Sequence, residues 1–353
     1  MAIINKPTDY FNTKLYTGNG GTQSITGVEF QPDWTWLKDR TTAEASHKLY
    51  DSVRGATKYI ASNNTGAEAT DSNGLTAFGT DGFTLGSTGG TNGNGITFVS
   101  WNWKAGTTVS GATTGSGTAK TYTGSVNTTS GFSIVKYTGN GTAGHTIPHN
   151  LSAVPKTIII KSFGGNDWVS HHAPLGNVDT LRLNETGAKV SSSTSFNSTT
   201  PSSTVFTVGT DSKTNTNDGT YIAYCFSDIT GFSKMGLYVG NGSTDGTFVY
   251  TGFKPAFVMI KASSAVKDWK MIDDKRNPAG LGGANPVRYR LAANTNGPRS
   301  DDGDGQDFTS QGFKFRTTDS HMNGSGTTYI YMAFAENPFV SNTASGSVPV
   351  TAR

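Results

Sequence analysis

Cysteine, charge and long apolar runs are all scarce in this sequence of 353 residues. Its single cysteine, Cys225, excludes an internal disulfide framework, and its place in an apolar run predicts a small buried side chain. The net charge is only +3 and no run of lysine or arginine occurs, which excludes a typical nucleic-acid-binding surface. No apolar stretch reaches the roughly 18 residues of a membrane span. The N-terminus lacks the apolar core of a signal peptide, so we expect synthesis in a cytoplasm and no membrane insertion.

Turn-forming and aromatic residues are abundant instead. The chain has 45 glycines and 12 prolines, aromatic residues make up 11%, and serine, threonine and asparagine occur throughout. Charged residues make up only 15%, against about a quarter in an average soluble protein. This combination is typical of short strands joined by many turns, and it predicts an all-β fold.

One motif, Tyr-x-Gly-Asn-Gly, occurs three times, at residues 16–20, 137–141 and 238–242. Each copy is followed, at nearly constant spacing, by a proline, an apolar run ending in lysine, a short strand with a phenylalanine, and two aromatic residues five positions apart. The phenylalanine of the short strand and the second of the two aromatic residues are, copy by copy, Phe83 and Trp103, Phe206 and Phe226, and Phe313 and Phe334. Five landmarks in one order, three times over, indicate three divergent copies of one unit.

We therefore predict three tandem β-sandwich units of the jelly-roll or lectin-like type. The predicted boundaries are an N-terminal arm at 1–10, unit 1 at 11–104, a Gly/Ser/Thr linker at 105–130, unit 2 at 131–229, unit 3 at 230–339 and a C-terminal tail at 340–353. Strict alternation in the last strand of each copy places Trp101 and Trp103 on one face, which predicts a sheet with one face in a core. The phenylalanines of the preceding short strand complete the predicted core.

The tryptophans offer a candidate binding site. Trp168 and Trp269 occupy matching places in units 2 and 3, and each follows an aspartate, Asp167 or Asp268. An exposed tryptophan beside a carboxylate can stack on a sugar ring and hydrogen-bond to its hydroxyl groups. The alternative is that both tryptophans pack in a core.

Two clusters could hold a metal ion. His145 and His149 are four residues apart in unit 2, where imidazoles could bind zinc, but the neighbouring glycine and proline favour a turn with ordinary hydrogen-bonding histidines. Asp301, Asp302 and Asp304 alternate with glycine as in a calcium loop, but the distal glutamate of an EF-hand is missing. A solvated loop explains the aspartates equally well, so we expect no cofactor.

Catalytic patterns are missing from the sequence. It contains no nucleophile elbow, phosphate-binding loop or dinucleotide fingerprint. No pair of carboxylates recurs in the three copies as a glycosidase would require. We therefore expect a protein that is not an enzyme.

Four segments resemble a known group of proteins: 27–34 (GVEFQPDW), 98–104 (FVSWNWK), 131–139 (GFSIVKYTG) and 333–339 (AFAENPF). They are similar to proteins common in tailed bacteriophages, especially phages of marine bacteria. These are usually described as tail-fibre-like or virion structural proteins, sometimes with a lectin-like fold. The group has no established catalytic residues, so the resemblance assigns none here.

The resemblance implies a structural protein exposed on the surface of a phage particle, made in the host cytoplasm. A tail- or fibre-associated adhesin that contacts the host surface is the first hypothesis, and a capsid decoration protein is the second. A lectin outside a virion is a more distant third. The implied partners are other virion proteins and host surface glycans, and the implied assembly is a homo-oligomer or symmetric multi-copy array.

Overall fold

The structure is a computed structural model that describes residues 4–277, 285–338, 340–343 and 346–349. The side chains of residues 302–304 and 337–349 lie outside that description. Strands make up 45% of the chain and helices 4%, which confirms the all-β prediction. The helices that the description covers have three or four residues each, and none is long enough to cross a bilayer.

Unit 1 has a main sheet and a minor sheet. Its elements are β1 (Phe11–Thr17), β2 (Gln23–Thr26), β3 (Trp34–Asp39), β4 (Lys48–Asp51), β5 (Lys58–Tyr59), β6 (Ala69–Thr70), β7 (Leu75–Gly79), β8 (Gly82–Leu85), α1 (Gly89–Asn92) and β9 (Thr97–Trp103). The main sheet has the order β1-β9-β3-β4 and the minor sheet β2-β8-β7. Phe83 and its neighbours fill the core between the two sheets. The arrangement is a β-sandwich.

Unit 2 repeats this plan with additional strands. Its elements are β10 (Thr107–Ala112), β11 (Thr114–Gly115), β12 (Thr121–Asn127), β13 (Phe132–Thr138), β14 (His145–Pro148), β15 (Thr157–Ser162), β16 (Val169–His172), β17 (Asp179–Arg182), β18 (Val190–Ser191), β19 (Val205–Val208), α2 (Ser212–Asn215) and β20 (Thr220–Phe226). The main sheet runs β10-β12-β13-β20-β15-β16-β17-β18 and the minor sheet β11-β14-β19. Phe206 lies in the core of this unit, as does Cys225, whose thiol pKa is raised by burial.

In unit 3, the strands that correspond to the main and minor sheets of the other units form one continuous sheet. Its strands are β21 (Ser233–Val239), β22 (Phe248–Tyr250), β23 (Phe253–Ala262), β24 (Lys270–Asp273), β25 (Val287–Ala292), β26 (Ser300–Thr309), β27 (Gly312–Phe315) and β28 (Thr328–Pro338). They pair in the order β21-β28-β23-β24-β25-β26-β27-β22, and the sheet encloses a core that contains Phe313. Within the described residues, each paired strand finds its partner in its own unit, if 107–127 is counted with unit 2.

The expected linker at 105–130 is a structural element instead. β12 pairs along its full length with β13, and β10 pairs with β12, so this hairpin extends the main sheet of unit 2. Strand β11 pairs with β14 and extends the minor sheet. The linker prediction was wrong because Tyr122 and Val126 insert into the core of unit 2, and threonine is favourable in strands. We call residues 107–127 the hairpin segment.

Both ends of the chain contain more structure than the arm and the tail that the sequence predicts. Residues 1–3 lie outside the description, but Ile4 is buried and Tyr10 packs against the central core described below, so the predicted arm is partly anchored. Near the C-terminus, β29 (Val340–Thr343) pairs with β30 (Gly346–Pro349) as a separate hairpin. The rest of the predicted tail, residues 344–345 and 350–353, lies outside the described residues.

The inner strands of each main sheet are buried on both faces. Along β20, Ile222, Tyr224 and Phe226 point into a large central core, whereas Tyr221 and Cys225 point into the core of unit 2. The last strands of units 1 and 3 alternate in the same way. The prediction of a single buried face is therefore corrected: the alternation separates two cores, because a second face that would normally meet water instead meets the neighbouring units.

The three units share this central core. Trp103, Phe226 and Phe334, the last landmarks of the three copies, meet at its centre. Their ring centroids lie 5.6 Å (Trp103–Phe334), 5.7 Å (Phe226–Phe334) and 6.4 Å (Trp103–Phe226) apart. Phe11, at the start of unit 1, stacks on Phe334 at 5.1 Å. The units thus form a closed ring around a pseudo-threefold axis.

Equivalent hydrogen bonds join each unit to the one before it in this ring. At matching positions, a ring nitrogen next to the central core donates to a backbone carbonyl of the preceding unit. The three bonds are Trp168 Nε1 to Ala61 O at 2.8 Å, Trp269 Nε1 to Arg182 O at 2.9 Å, and His47 Nε2 to Ala292 O at 3.0 Å. His47 can donate because its Nδ1 accepts from Trp36. Unit 1 therefore bonds back to unit 3, which closes the ring.

A buried lysine lies beside each of these bonds. Lys38, Lys161 and Lys261, the lysines that end the repeated apolar runs, are fully buried. Lys261 Nζ donates to the Thr186 carbonyl of unit 2 at 2.8 Å, and Lys38 Nζ to the Asn296 carbonyl of unit 3 at 3.4 Å. Burial lowers the pKa of each lysine to about 8. Backbone carbonyls from two units thus solvate the ammonium groups of Lys38 and Lys261, whereas Lys161 Nζ donates to the Asn166 carbonyl of its own unit.

A second set of contacts differs between the junctions. Asp273 of unit 3 accepts a hydrogen bond from Trp101 Nε1 of unit 1 at 2.9 Å and is paired with Arg276, both side chains being fully buried. Asp51 of unit 1 accepts from the Tyr224 hydroxyl of unit 2 at 2.7 Å in the same way and is paired with Arg54. We call these pairs the Asp–Arg clasps.

Unit 2 has a histidine where the other units have the clasp aspartate. His172 lies opposite Thr157, as Asp273 lies opposite Phe257. Its Nε2 donates to the Tyr331 carbonyl of unit 3 at 3.1 Å, since the side chain that faces it, Met332, offers no polar group like that of Trp101. At the junction between units 2 and 3, a buried imidazole therefore takes the place of a charged Asp–Arg clasp.

Each Gly-Asn-Gly turn is held by a buried asparagine from the segment before the last strand. In unit 2, Asn215 Nδ2 donates to the carbonyls of Gly209 and Thr142, and its Oδ1 accepts from Asn140 N at 2.8 Å. Gly139 leaves no room for a side chain, because a Cβ there would lie 2.4 Å from a backbone oxygen. Asn92 and Asn323 do the same in units 1 and 3. This contact explains why the turn recurs in all three units.

The central core generates the first prediction. Replacing Phe334 with Ala should lower the free energy of unfolding by about 3–5 kcal/mol, because a large buried aromatic leaves a cavity. Phe248→Ala, in the same unit but 47% exposed, should change it by about 0.5 kcal/mol or less. Denaturant unfolding of both variants measures the difference. Equal losses in the two variants would contradict the assignment of Phe334 to the central core.

The clasps generate the second prediction. Asp273→Ala leaves Arg276 as a buried cation without its carboxylate and Trp101 Nε1 without its acceptor, which should cost about 3–5 kcal/mol. The control is Asp218→Ala, which removes a 2.6 Å pair with Lys120 whose carboxylate is 70% exposed. That pair should contribute about 0–1 kcal/mol. Chemical denaturation followed by tryptophan fluorescence compares the two, and a clasp variant as stable as the control would refute the role of Asp273.

Candidate functional site

The tryptophans predicted to bind sugars are not at the surface. Trp168 is fully buried and Trp269 is 3% exposed, and both donate their indole N–H to the neighbouring unit. No sugar ring can reach either face in this fold. The sugar-binding interpretation is therefore corrected and the alternative is confirmed: both side chains pack in the core, where they fill the junctions of the ring.

The accompanying aspartates position the loops that carry these tryptophans. Asp167 accepts from the Asn184 amide at 3.0 Å, and Asn184 in turn accepts from Trp168 N at 2.8 Å. Asp268 makes the same contact with Asn294, and it also pairs with Lys270 and His321, which together lower its pKa. The predicted binding aspartates thus stabilise turns.

The histidine pair of unit 2 does not converge. His145 is buried with Nδ1 2.8 Å from the Asn140 amide, whereas His149 lies 3.2 Å from the Ser202 carbonyl and accepts from Leu151 N. Burial lowers the pKa of both imidazoles, that of His149 to about 4. Within the described part of the chain, no three histidine, cysteine or acidic side chains group as metal ligands.

The predicted calcium loop lies on strand β26. Asp301 forms an ion pair with Arg288 at 3.0 Å on the neighbouring strand β25. The side chains of Asp302 and Asp304 lie outside the described residues, so their part in this prediction stays a prediction. Asp301 is therefore engaged with an arginine of the sheet.

A polar groove lies between unit 1 and the hairpin segment. One cleft of about 510 Å³ is lined by Asp33 and Ser52 of unit 1 and by Thr108 of the hairpin segment. A second cleft of about 290 Å³ is lined by Glu68 of unit 1 and by Thr138 and Thr220 of unit 2. Both clefts share Thr123 and Lys136, which lie opposite each other on β12 and β13. We call the two clefts together the junction groove.

The floor of the junction groove is the face of the unit 2 main sheet. Residues of this face nearer the axis, such as Ile134, enter the central core, but Thr123, Ser125 and Lys136 farther out are polar. Volumes in this range are typical of sites for small ligands. The groove therefore combines a rigid sheet floor with hydroxyl groups.

The two carboxylates of the groove are already engaged. Asp33 accepts from the Ser52 hydroxyl at 2.7 Å and from Ala105 N at 2.9 Å, and burial raises its pKa. Glu68 lies 3.6 Å from the buried Arg54 of a clasp. Lys136, in contrast, has no ion-pair partner among the described residues. The groove thus presents one positive charge without an ion-pair partner among the described residues, together with hydroxyl groups and two carboxylates that neighbouring groups already engage.

Over residues 6–338, the sequence matches the family described as Domain of unknown function (DUF7483). The chain belongs to the DUF7483 family. Comparison with the curated proteins and with the solved structures found no match. The match covers all three units of this DUF7483 chain, including the hairpin segment that forms the groove.

The groove residues of the DUF7483 chain were not predicted as a site from the sequence. Thr121, Thr123 and Ser125 alternate with Tyr122 and Val126, which is the period of a half-buried strand, but the many small residues around them resemble a linker. The alternation of residues 121–126 was the available signal. The buried asparagines also left a signal, since Asn92, Asn215 and Asn323 each lie six residues before the first aromatic of the last strand.

Buried histidines make the stability of this DUF7483 chain depend on pH. Burial lowers the pKa of His171 to about 4 and that of His172 to about 3, whereas an unfolded histidine titrates near 6.5. Between these values the unfolded chain binds protons that the folded chain excludes, so stability falls as pH falls. We expect the melting temperature to decrease from about pH 6.5 to about pH 4.5.

Two variants distinguish a histidine whose lowered pKa reduces stability at low pH from a histidine whose raised pKa increases it. His172→Gln keeps a donor for the Tyr331 carbonyl and should make the decrease shallower. His321 has a raised pKa because Asp268 and Asp319 accept from it, so it stabilises the folded state at low pH and this contribution is lost as pH rises. His321→Gln should therefore lower the melting temperature more below about pH 6.5 than at alkaline pH, and it should leave the slope between pH 6.5 and 4.5 nearly unchanged. Calorimetric melts at several pH values test both, and identical slopes in the two variants would contradict this account.

Proposed function

We propose that this chain is a structural protein exposed on a bacteriophage particle, most simply a tail- or fibre-associated adhesin that contacts the host surface. The resemblance of four segments to phage virion proteins suggests the particle. The junction groove is the observation that favours adhesion, because it is a polar cleft of about 510 Å³ whose floor is a rigid sheet. A rigid sheet floor suits binding, since it positions polar groups without loop motion.

The chemistry of the groove favours binding over catalysis. A general acid or base must be free to exchange a proton with a ligand. Asp33 is held by Ser52 and Ala105, and Glu68 is held beside Arg54. Neither carboxylate has the free, paired geometry of a glycosidase. The proposal is therefore a protein that binds without turnover.

Unit 3 provides a surface suited to another virion protein. Leu237 and Val239 on edge strand β21, and Phe248 and Tyr250 on edge strand β22, are 46–57% exposed. In unit 2 the equivalent edges are covered by the hairpin segment. Large apolar side chains beside open strand edges commonly mark protein contacts. We propose that this edge faces the particle.

A capsid decoration protein is the second candidate. The closed ring of three units has a pseudo-threefold axis, and such a body has the approximate symmetry of a site on a threefold axis of a shell. A lectin outside a virion remains the more distant alternative, because the junction groove by itself does not depend on a particle.

Immunogold electron microscopy tests the proposal. Particles labelled with antibody against the purified chain should carry gold at the tail, with preimmune serum as the control. Label distributed over the whole shell would replace the adhesin by the decoration protein. Particles without label, from a lysate in which the antibody detects the chain, would refute a virion location.

A further inference from the structure

The junction groove differs from the equivalent surfaces of the other units. Lys136 and Thr138 on β13 correspond to Leu237 and Val239 on β21 of unit 3, because Tyr137 and Tyr238 occupy the same turn motif. Among the described residues of unit 3, the hairpin segment has no counterpart. The polar floor at the junction of units 1 and 2 is therefore not repeated on β21 of unit 3.

The groove suits an extended ligand whose substituents, and not a peptide backbone, supply the hydrogen-bonding groups. Its floor is the face of a sheet, where the backbone groups of β12 and β13 are already paired with each other. On this part of the floor, an extended peptide would therefore find no unpaired backbone groups to join. Threonine and serine hydroxyls stand on neighbouring strands about 5 Å apart, a spacing that can match the hydroxyls of successive positions on sugar rings.

The charge of the groove selects among such ligands. Lys136 is shared by both clefts and carries the free positive charge, whereas Asp33 and Glu68 are engaged by neighbouring groups. A neutral oligosaccharide would leave the ammonium without a partner. A carboxylate on a sugar ring would form a charge-assisted hydrogen bond with it.

We infer that the junction groove binds an acidic oligosaccharide of the uronic acid type, with Lys136 pairing with a ring carboxylate and Thr123 donating to or accepting from a neighbouring hydroxyl. The inference deepens the proposed function, since it names the ligand class of the same groove. It requires a binding site in the purified chain, whereas the proposed function requires a place on the particle.

Titration calorimetry with hexagalacturonate, and with neutral maltohexaose of equal length, tests this inference. We expect hexagalacturonate to bind the full chain and maltohexaose to bind at least tenfold more weakly. Lys136→Ala should weaken hexagalacturonate binding tenfold or more, and Thr123→Val should weaken it by a smaller factor. The affinity should also fall with rising salt, because the pair is exposed to solvent.

The matched control is Lys234→Ala, which removes a half-buried lysine from β21, the corresponding strand of unit 3. It should leave binding unchanged. Failure of hexagalacturonate to bind, equal binding of the neutral sugar, or unchanged binding by Lys136→Ala would each overturn the inference. Gold label at the tail together with no binding would show that the ligand class is wrong while the proposed location stands.

Discussion

Burial of the inner strands of each main sheet on both faces is the constraint on which this architecture depends. In unit 2, Ile222, Tyr224 and Phe226 would face water if the unit stood alone. An aromatic side chain buries roughly 150–250 Å², and each Å² is worth about 25 cal/mol, so exposing several such residues per unit would cost more than a small domain's usual stability. The three sandwiches therefore depend on one another, although each also has its own core.

Much of the fold could be predicted because repetition multiplies weak signals. The alternation around Trp103, Phe226 and Phe334 indicated strands, and their common spacing indicated equivalence. Periodicity gives the faces of a strand, however, and not what lies beyond each face. Whether the outward face of Trp101 meets water or another unit depends on the packing of sheets distant in sequence. For this reason the shared core could not be inferred, although core packing of Trp168 and Trp269 was one of the two interpretations that the sequence allowed.

The candidate site was harder to predict for a related reason. Its residues come from two units and from a segment rich in glycine, serine and threonine, so no local motif joins them. Lys136 lies within a strand whose other residues pack in cores, and only the three-dimensional arrangement brings it beside Asp33 and Glu68. Tryptophan and histidine were predicted as site residues because both side chains can bind ligands. Here these side chains connect units, as the bond of His172 to Tyr331 illustrates.

Covalent connection of the three units has a consequence for how the ring can change over evolutionary time. In an assembly of three identical subunits, every substitution appears at all three junctions, and a change that suits one junction must be tolerated by the other two. Here each junction is encoded separately. A histidine, His172, can therefore occupy one junction while Asp51 and Asp273 occupy the equivalent position at the other two. In the same way, Lys136 can lie beside a single hairpin segment. A fused ring therefore keeps the packing of a symmetric body while its three junctions diverge independently.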